Sequence, residues 1–273
     1  MNVRMTRRVT FSSGHRYWHP DLSAEENRTR FGPWASPFNH GHNYVLDVTV
    51  DGEVDMRTGM VVNIKRIDDV LKAHILRQFD QRSINDEVPH FRTTSPSLEN
   101  LMRYIADELS APGVLPPEVC LTGLRLEEMP LLWGELTLPD FNMTLTRVYE
   151  FAASHRLHAP DLSLEENLAL FGKCNNPAGH GHNYVLEVTV GGEPDPQSGM
   201  LIDLRTLDGC VKELVVDRYD HRNLNEDIEE FRGRPSTSEV VARTIFDRLK
   251  PALPGLARVR LHETARNIFE VNA

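Results

Sequence analysis

The histidines of a repeated pentapeptide are the residues of this sequence best suited to hold a metal ion. His-Gly-His-Asn-Tyr occurs twice, and its histidines are His40 and His42 in the first case and His180 and His182 in the second. Residues two apart on an extended segment project from the same face, so each motif presents two imidazoles together. A third histidine, His15 or His155, precedes each motif at the end of a predicted strand. Three neutral imidazoles from two strands are typical of a catalytic zinc site with an open fourth position.

Further reactive residues accompany only the second motif. Cys174 precedes it, and "YDHRNLN" supplies the neighbours Asp220 and His221. A cysteine near a metal can become a thiolate base, and a carboxylate beside a histidine sets its tautomer and stabilises its charged form. The first motif is preceded by Trp34, and the histidine is replaced by Gln81. Neither replacement can transfer a proton, so Cys174 and His221 are predicted to work as a unit.

The motif is doubled because the chain is a tandem duplication. Residues 11–92 align with residues 151–232 without a gap, and the register changes only near the end, where "RLEE" matches "RLHE". The alignment predicts two domains, residues 1–138 and residues 143–273. The first keeps the histidines but lacks the cysteine and the later histidine, whereas the second has the complete set.

Within each repeat, apolar periodicity predicts the strands and helices that position these residues. "NYVLDVTVDG" alternates and ends in a turn signal, which predicts a strand, and "VTFSSGH", "VYEFAASH" and "ARVRLHET" are predicted as further strands. "GMVVNI" and "GMLIDL" are predicted as a strand after the turn. "LDGCVKELVVDRY" and "STSEVVARTIFDRL" predict helices, the latter capped by Ser236 or Thr237. Each repeat is thus predicted as an α+β unit, an antiparallel sheet with two helices on one face.

Composition limits the class of protein. The chain has 273 residues, of which 40% are hydrophobic and 26% charged, and this is typical of a globular protein. A formal net charge of -10 argues against a protein that coats nucleic acid or an anionic membrane. Three cysteines without close pairing argue against a disulfide framework. With no apolar stretch typical of a signal peptide or a membrane span, we predict a cytoplasmic protein without nucleic-acid or membrane partners.

Several segments together resemble the 6-pyruvoyl-tetrahydropterin synthase family. They are "SHRLHAPDLSLEENLALFGKCNNPAGHGHNYVLEVTV", "GML", "YDHRNLN", "PSTSE" and "HET", and they span nearly all of the second repeat. The first repeat resembles the same family apart from its two replacements. The resemblance implies the tunnelling fold, in which sheets assemble into a barrel around a central tunnel with helices outside. It also implies conversion of 7,8-dihydroneopterin triphosphate to 6-pyruvoyl-tetrahydropterin with loss of triphosphate.

The resemblance further implies roles for single residues of the second repeat. It places zinc on His155, His180 and His182, and it assigns proton transfer to Cys174 as general base with Asp220 and His221. Glu263 would anchor the guanidine-like edge of the pterin, with Thr237 and Ser238 as lesser contacts. Zinc on the substrate side chain would acidify the adjacent C–H bond, as a Lewis acid does. No external redox cofactor is required, because the side chain is oxidised while the ring is reduced.

For the first repeat, the resemblance implies a second zinc on His15, His40 and His42, and thus two zinc ions per chain. Glu128 would be its pterin-binding carboxylate, but no turnover is expected there. In the family, the Asp-His pair reaches the cysteine from a neighbouring subunit, so a homo-oligomer is expected.

Two alternatives remain open at this point. The first is 6-carboxy-tetrahydropterin synthase of deazapurine (queuosine) biosynthesis, which resembles the chain in its zinc ligands and triad and uses the same substrate. Its cysteine usually lies closer to the His-Gly-His than Cys174 does. The second is a zinc- and pterin-binding scaffold without turnover, which the altered first repeat makes plausible for half the chain.

Overall fold

The computed structural model describes residues 2–273, which fold as a mixed α+β protein with a large sheet component and several helices. Packing divides these residues into two units. The first unit contains the described residues up to Leu145 together with Gly192–Leu201, and the second contains Thr146–Gly191 and Ile202–Ala273. Within the described residues, no helix combines the length and apolar character needed to cross a membrane.

The first unit contains five strands and five short to medium helices. They are β1 (Asn2–His15), α1 (Ala24–Phe31), β2 (His40–Glu53), α2 (Ile64–Leu71), α3 (Arg77–Phe79), β3 (Arg82–Ser83), α4 (Ile84–Glu87), α5 (Leu98–Ser110), β4 (Val119–Met129) and β5 (Leu132–Thr137). A π-helical turn, Lys72–Leu76, joins α2 to α3. The strand order is β3-β1-β2-β4-β5. All neighbours are antiparallel except the two-residue pairing of β1 with β3.

The second unit repeats this succession of elements. They are β6 (Asn142–His155), whose first residues belong to the first unit, α6 (Leu164–Phe171), β7 (His180–Gly191), α7 (Leu204–Val211), α8 (Asp217–Tyr219), β8 (Arg222–Asn223), α9 (Leu224–Asp227), α10 (Ser238–Leu249), β9 (Leu256–Thr264) and β10 (Asn267–Asn272). A π-helical turn, Lys212–Val216, joins α7 to α8. The order is β10-β9-β7-β6, and β8 pairs with β6 in parallel.

The predicted alternation of the long strands is confirmed. In β2 the side chains of Tyr44, Leu46, Val48 and Val50 are buried. Helix α5 packs on β4 and β5, and α10 packs on β9 and β10. Each fully buried aliphatic or aromatic side chain contributes about 1.5–3 kcal/mol. This apolar core fixes the strand ends at which the histidines lie.

The predicted strands "GMVVNI" and "GMLIDL" are wrong. Gly59 and Gly199 have φ angles of 72° and 77°, which belong to a turn rather than to extended backbone. Directly after each turn, Asn63 or Asp203 accepts a hydrogen bond from the amide two residues later and caps a helix. The short apolar pairs in these segments therefore lie between a turn and a helix N-cap, where two residues cannot establish a strand period.

Candidate metal and catalytic site

Three histidines of the second unit converge at one end of two neighbouring strands. His155 is the last residue of β6, whereas His180 and His182 are the first and third residues of β7. Their ring centroids lie 4.7 to 5.2 Å apart. One nitrogen from each ring lies within 4.8 Å of the other two. The structure thus brings the predicted ligands together as a group that can bind a metal ion.

The hydrogen bonding of His155 prepares it to be a ligand. Its Nδ1 lies 2.9 Å from the carbonyl oxygen of Ser236, and because a carbonyl only accepts, Nδ1 carries the proton. Burial lowers the pKa of His155, which keeps the ring neutral. Its Nε2 is left with a free lone pair. This Nε2, Nδ1 of His180 and Nε2 of His182 are buried without a hydrogen-bond partner among residues 2–273. Three buried and orphaned imidazole nitrogens fit a metal such as zinc.

Glu263 lies beside this group. Its Oε1 is 3.8 Å from Nε2 of both His155 and His182. Two hydrogen bonds fix the carboxylate, 2.7 Å from the Ser238 hydroxyl and 3.0 Å from the Asn267 side-chain amide. Burial raises the pKa of Glu263, but these hydrogen bonds and the histidines outweigh it, so the net shift is downward. A fixed, ionised carboxylate next to these three histidines, which are called the metal group from here on, can accept hydrogen bonds from a ligand.

Asp220 and His221 form a hydrogen-bonded pair. Nδ1 of His221 lies 2.9 Å from Oδ2 of Asp220. The other oxygen of Asp220 accepts a hydrogen bond of 2.7 Å from the Ala152 amide. These two hydrogen bonds lower the pKa of Asp220. The His221 side chain is 83% exposed, so its ring can reach a group outside the unit.

His221 of this pair and His182 of the three histidines line one cleft. Its volume is about 460 Å³, and its lining includes Gly181, His182 and His221. Cys174 does not line it. The cysteine lies half-buried in a 3₁₀ turn, Gly172–Asn175, and within residues 2–273 its thiol has no hydrogen-bond or ion-pair partner. One chain therefore brings together the predicted metal ligands, Glu263 and Ser238, but not Cys174 with the Asp-His pair.

The first unit repeats the metal group. His15 ends β1, His40 and His42 begin β2, and one nitrogen of each ring lies within 4.8 Å of the others. Nδ1 of His15 lies 3.0 Å from the Pro96 carbonyl oxygen, and burial lowers the pKa of His15 to about 4. Glu128 corresponds to Glu263, and its Oε1 lies 3.0 Å from Nε2 of His42.

Comparison with known proteins identifies the family. The model of the 6-pyruvoyl tetrahydropterin synthase family matches residues 4–138 and, a second time, residues 144–273. The chain belongs to the 6-pyruvoyl tetrahydropterin synthase family. Its double match follows the two sequence repeats.

Relatives of the family match about half of this chain and most of their own length. The 6-pyruvoyl tetrahydrobiopterin synthases of Poecilia reticulata and Homo sapiens are each 48% identical to this chain over 126 residues. The matched residues make up 45% of this chain, 86% of the Poecilia protein and 87% of the human protein. The solved structure of Caenorhabditis elegans 6-pyruvoyl tetrahydropterin synthase is 47% identical and covers 48% of this chain and 96% of its own, with a TM-score of 0.47.

The two synthase-like units have the same backbone conformation at a position where their side chains differ. Gln81 and His221 both have a φ angle of 58°. The Gln81 amide donates a hydrogen bond to the carbonyl of Ser12 in β1, and the His221 amide donates one to the carbonyl of Ala152 in β6. Gln81 lines a cleft of about 530 Å³ with His42, as His221 does with His182. The first unit therefore keeps a cleft at this position and has a glutamine where the second unit has the imidazole.

One feature near the candidate site was missed at the level of the sequence. Glu99, in the first turn of α5, is 3% exposed. Burial raises its pKa to about 7. Its Oε1 accepts a hydrogen bond of 2.8 Å from the amide of Leu201. A glutamate after a helix N-cap is common on protein surfaces, so its sequence position gave no sign of burial.

Proposed function

We propose that the second unit is a zinc-dependent 6-pyruvoyl-tetrahydropterin synthase. It converts 7,8-dihydroneopterin triphosphate to 6-pyruvoyl-tetrahydropterin and releases triphosphate. The single observation that carries this proposal is the group of three orphaned histidine nitrogens beside the Asp220–His221 pair. The family membership of the chain and the activity for which its relatives are named support the reaction.

Zinc suits the neutral nitrogen ligands, and when bound it would polarise the side-chain oxygens of the substrate. Removal of a proton from the adjacent carbon is assigned to Cys174, and return of a proton to His221. Asp220 holds His221 in the tautomer with the proton on Nδ1. The electrons lost by the side chain reduce the ring, so the step is balanced without another redox partner.

Substrate orientation is assigned to Glu263. Its ionised carboxylate suits the donor edge of a pterin, and Ser238 holds it in place. Thr237 lies at the N-cap position of α10 and its side chain makes no capping hydrogen bond, which leaves its hydroxyl available. We propose both residues as lesser contacts of the same ligand.

The active protein is proposed to be a homo-oligomer whose sheets form barrels. Cys174 and His221 of one chain are not in contact, so a complete set of Cys174, Asp220 and His221 requires a second copy. The exposed ring of His221 supports this arrangement, because it can reach a cysteine of a neighbour.

The first unit is proposed to hold zinc and to take part in assembly without turnover. Trp34 and Gln81 stand where the second unit has its cysteine and histidine. In addition, Tyr17 places its ring 5.4 Å from that of His15, where the second repeat has the smaller Leu157. Glu128 beside His42 is its candidate pterin contact.

Purified protein incubated with dihydroneopterin triphosphate tests the proposed reaction. Mass spectrometry is expected to find the pyruvoyl product and triphosphate. A carboxy product with acetaldehyde would assign the deazapurine-pathway reaction instead, and no conversion by zinc-loaded protein would favour the scaffold. A Cys174→Ser variant is the matched control, because it keeps the histidines and is expected to lose the product.

A further inference from the structure

A further cleft of the second unit carries three arginines. This arginine cleft has a volume of about 360 Å³, and its lining includes Arg156, Arg232 and Arg234. Its lining includes one acidic residue, Glu226. Within residues 2–273, none of the three guanidinium groups forms an ion pair. The arginine cleft therefore carries an excess of positive charge that is available to an anion.

Hydrogen bonds orient two of the arginines and leave donors over. Nε of Arg156 donates to the carbonyl oxygen and the side-chain oxygen of Asn175, at 3.2 and 3.1 Å. Nε and one terminal nitrogen of Arg232 donate to the Glu226 carbonyl, at 3.3 and 3.2 Å. The Arg234 side chain makes no hydrogen bond within the described part of the chain. Each guanidinium group thus keeps at least one terminal nitrogen with which it can bind a phosphate oxygen.

The arginine cleft adjoins the metal group. Gly179 lines it and directly precedes His180, the first residue of β7. Asn223 lines both the arginine cleft and the cleft of His182 and His221. A ligand that binds at the metal group can therefore extend into the arginine cleft.

The first unit has an equivalent arginine, but a carboxylate neutralises it. Arg16 stands where the second unit has Arg156. The two terminal nitrogens of Arg16 donate to the carboxylate of Asp86, at 2.8 and 2.7 Å. Glu226, the counterpart of Asp86, forms no ion pair among the described residues. The arginine at this position is therefore available to an anion only in the second unit.

The space at this position is also nearly closed in the first unit. Trp18 and Thr94 stand where the second unit has His158 and Arg234. The pocket lined by Arg16, Trp18 and Thr94 has a volume of about 10 Å³, which leaves room for at most one water molecule. A positively charged cleft thus accompanies the unit that has the complete catalytic set.

We propose that the arginine cleft binds the triphosphate group of the substrate while the substrate side chain lies at the metal group. This assignment rests on the proposed function of the second unit. A triphosphate carries several negative charges, which suit the three guanidinium groups, and the same groups stabilise the charge on triphosphate as it leaves. The first unit cannot hold this group, which is a reason for its lack of turnover besides Trp34 and Gln81.

Titration calorimetry of the zinc-loaded full chain with inorganic triphosphate tests the cleft directly. Arg232→Ala and Arg234→Thr, which introduces the residue of the first unit, are each expected to weaken binding about tenfold. Arg92→Ala is the matched control and should bind as the wild type does. Arg92 and Arg232 are both exposed, and both donate to the carbonyl of the acidic residue six positions earlier. No binding by the wild type, unchanged binding by both cleft variants, or an equal loss in the control would overturn the proposal.

Triphosphate can also bind to zinc, and a second titration separates this from binding in the cleft. His182→Ala breaks the metal group but leaves the three arginines in place. Its affinity for inorganic triphosphate is expected to stay within about threefold of the wild type, and adding Arg234→Thr should again weaken it about tenfold. Binding that disappears in His182→Ala would place the anion on the metal instead of in the cleft.

Kinetics distinguish a failure of this inference from a failure of the proposed function. Both cleft variants are expected to raise KM for dihydroneopterin triphosphate about tenfold, while the affinity for phosphate-free dihydroneopterin stays unchanged. Pyruvoyl product with an unchanged KM in both variants would reject the arginine cleft and leave the reaction in place. Triphosphate binding that depends on the arginines, without any product, would reject the reaction and leave the cleft as a polyphosphate site.

Discussion

At the scale of single residues, the two units differ in side chains on a common backbone. The left-handed conformation at Gln81 and His221 and the hydrogen bonds from their amides are the same. The aspartate before each also has the same role, since Asp80 accepts from the Ser12 amide as Asp220 does from Ala152. The first unit therefore lacks a group that can transfer a proton at this position, while the local backbone is the same.

The His221→Gln variant gives the second unit the glutamine that the first unit has at this position. It is expected to lower kcat by about 100-fold or more, because general acid–base catalysis contributes ~10²–10⁴-fold. Zinc content is expected to stay unchanged, since His221 is not a predicted ligand. The reciprocal Gln81→His variant is the control and should neither lose nor gain activity, because Trp34 still replaces the cysteine. Steady-state kinetics with metal analysis checks both variants. Wild-type turnover by the His221→Gln variant would contradict a role of His221 in proton transfer.

The metal group could be predicted from the sequence because the histidines repeat with their spacing while the surrounding residues differ. Glu99 could not, because its burial depends on a segment about a hundred residues later in the chain. Pairs of this kind arise from tertiary packing, which leaves no local period or motif to detect.

At the scale of elements, a helix missed in the sequence supports the segment that carries Cys174. Helix α6 begins with a capping box, in which Ser163 accepts from the Glu166 amide and Glu166 accepts from the Ser163 amide. It leads directly into the turn Gly172–Asn175. The Ser-x-x-Glu pattern is visible in the sequence, but only eight residues follow it, too few for a clear helical period.

Ser163→Ala is expected to destabilise this helix by about 1 kcal/mol, because the cap hydrogen bond is lost. Hydrogen exchange should become faster in α6 and in the turn after it, and kcat should fall with the positioning of Cys174. Ser23→Ala removes the equivalent capping box of α1 and is the matched control. It should cost similar stability without affecting kcat, and equal kinetic effects of the two variants would contradict the link between α6 and Cys174.

At the scale of the whole molecule, the duplication gives one chain two metal groups with different surroundings. The long strands and the convergence of the histidines could be anticipated from the strand periods and the spacing of the histidines. The boundary between the packed units could not, because Gly192–Leu201 lies within the second sequence repeat but packs with the first unit. Sequence identity marks which residues were duplicated, whereas packing decides where each segment lies.

Metal analysis is expected to find two zinc ions per chain. His42→Ala and His182→Ala should each remove one ion, because each breaks one group of three ligands. Chelation of both ions should lower the midpoint of thermal unfolding, since a ligand bound only to the native state stabilises it. One zinc ion per wild-type chain would show that the first unit does not bind metal.

The same two variants, compared by turnover, test most directly that the second unit performs the chemistry. His42 and His182 are well matched, with side chains 19% and 18% exposed at equivalent positions of β2 and β7. Product formation from dihydroneopterin triphosphate should be lost in His182→Ala and should remain near the wild-type rate in His42→Ala. Loss of activity in His42→Ala together with normal activity in His182→Ala would contradict the assignment.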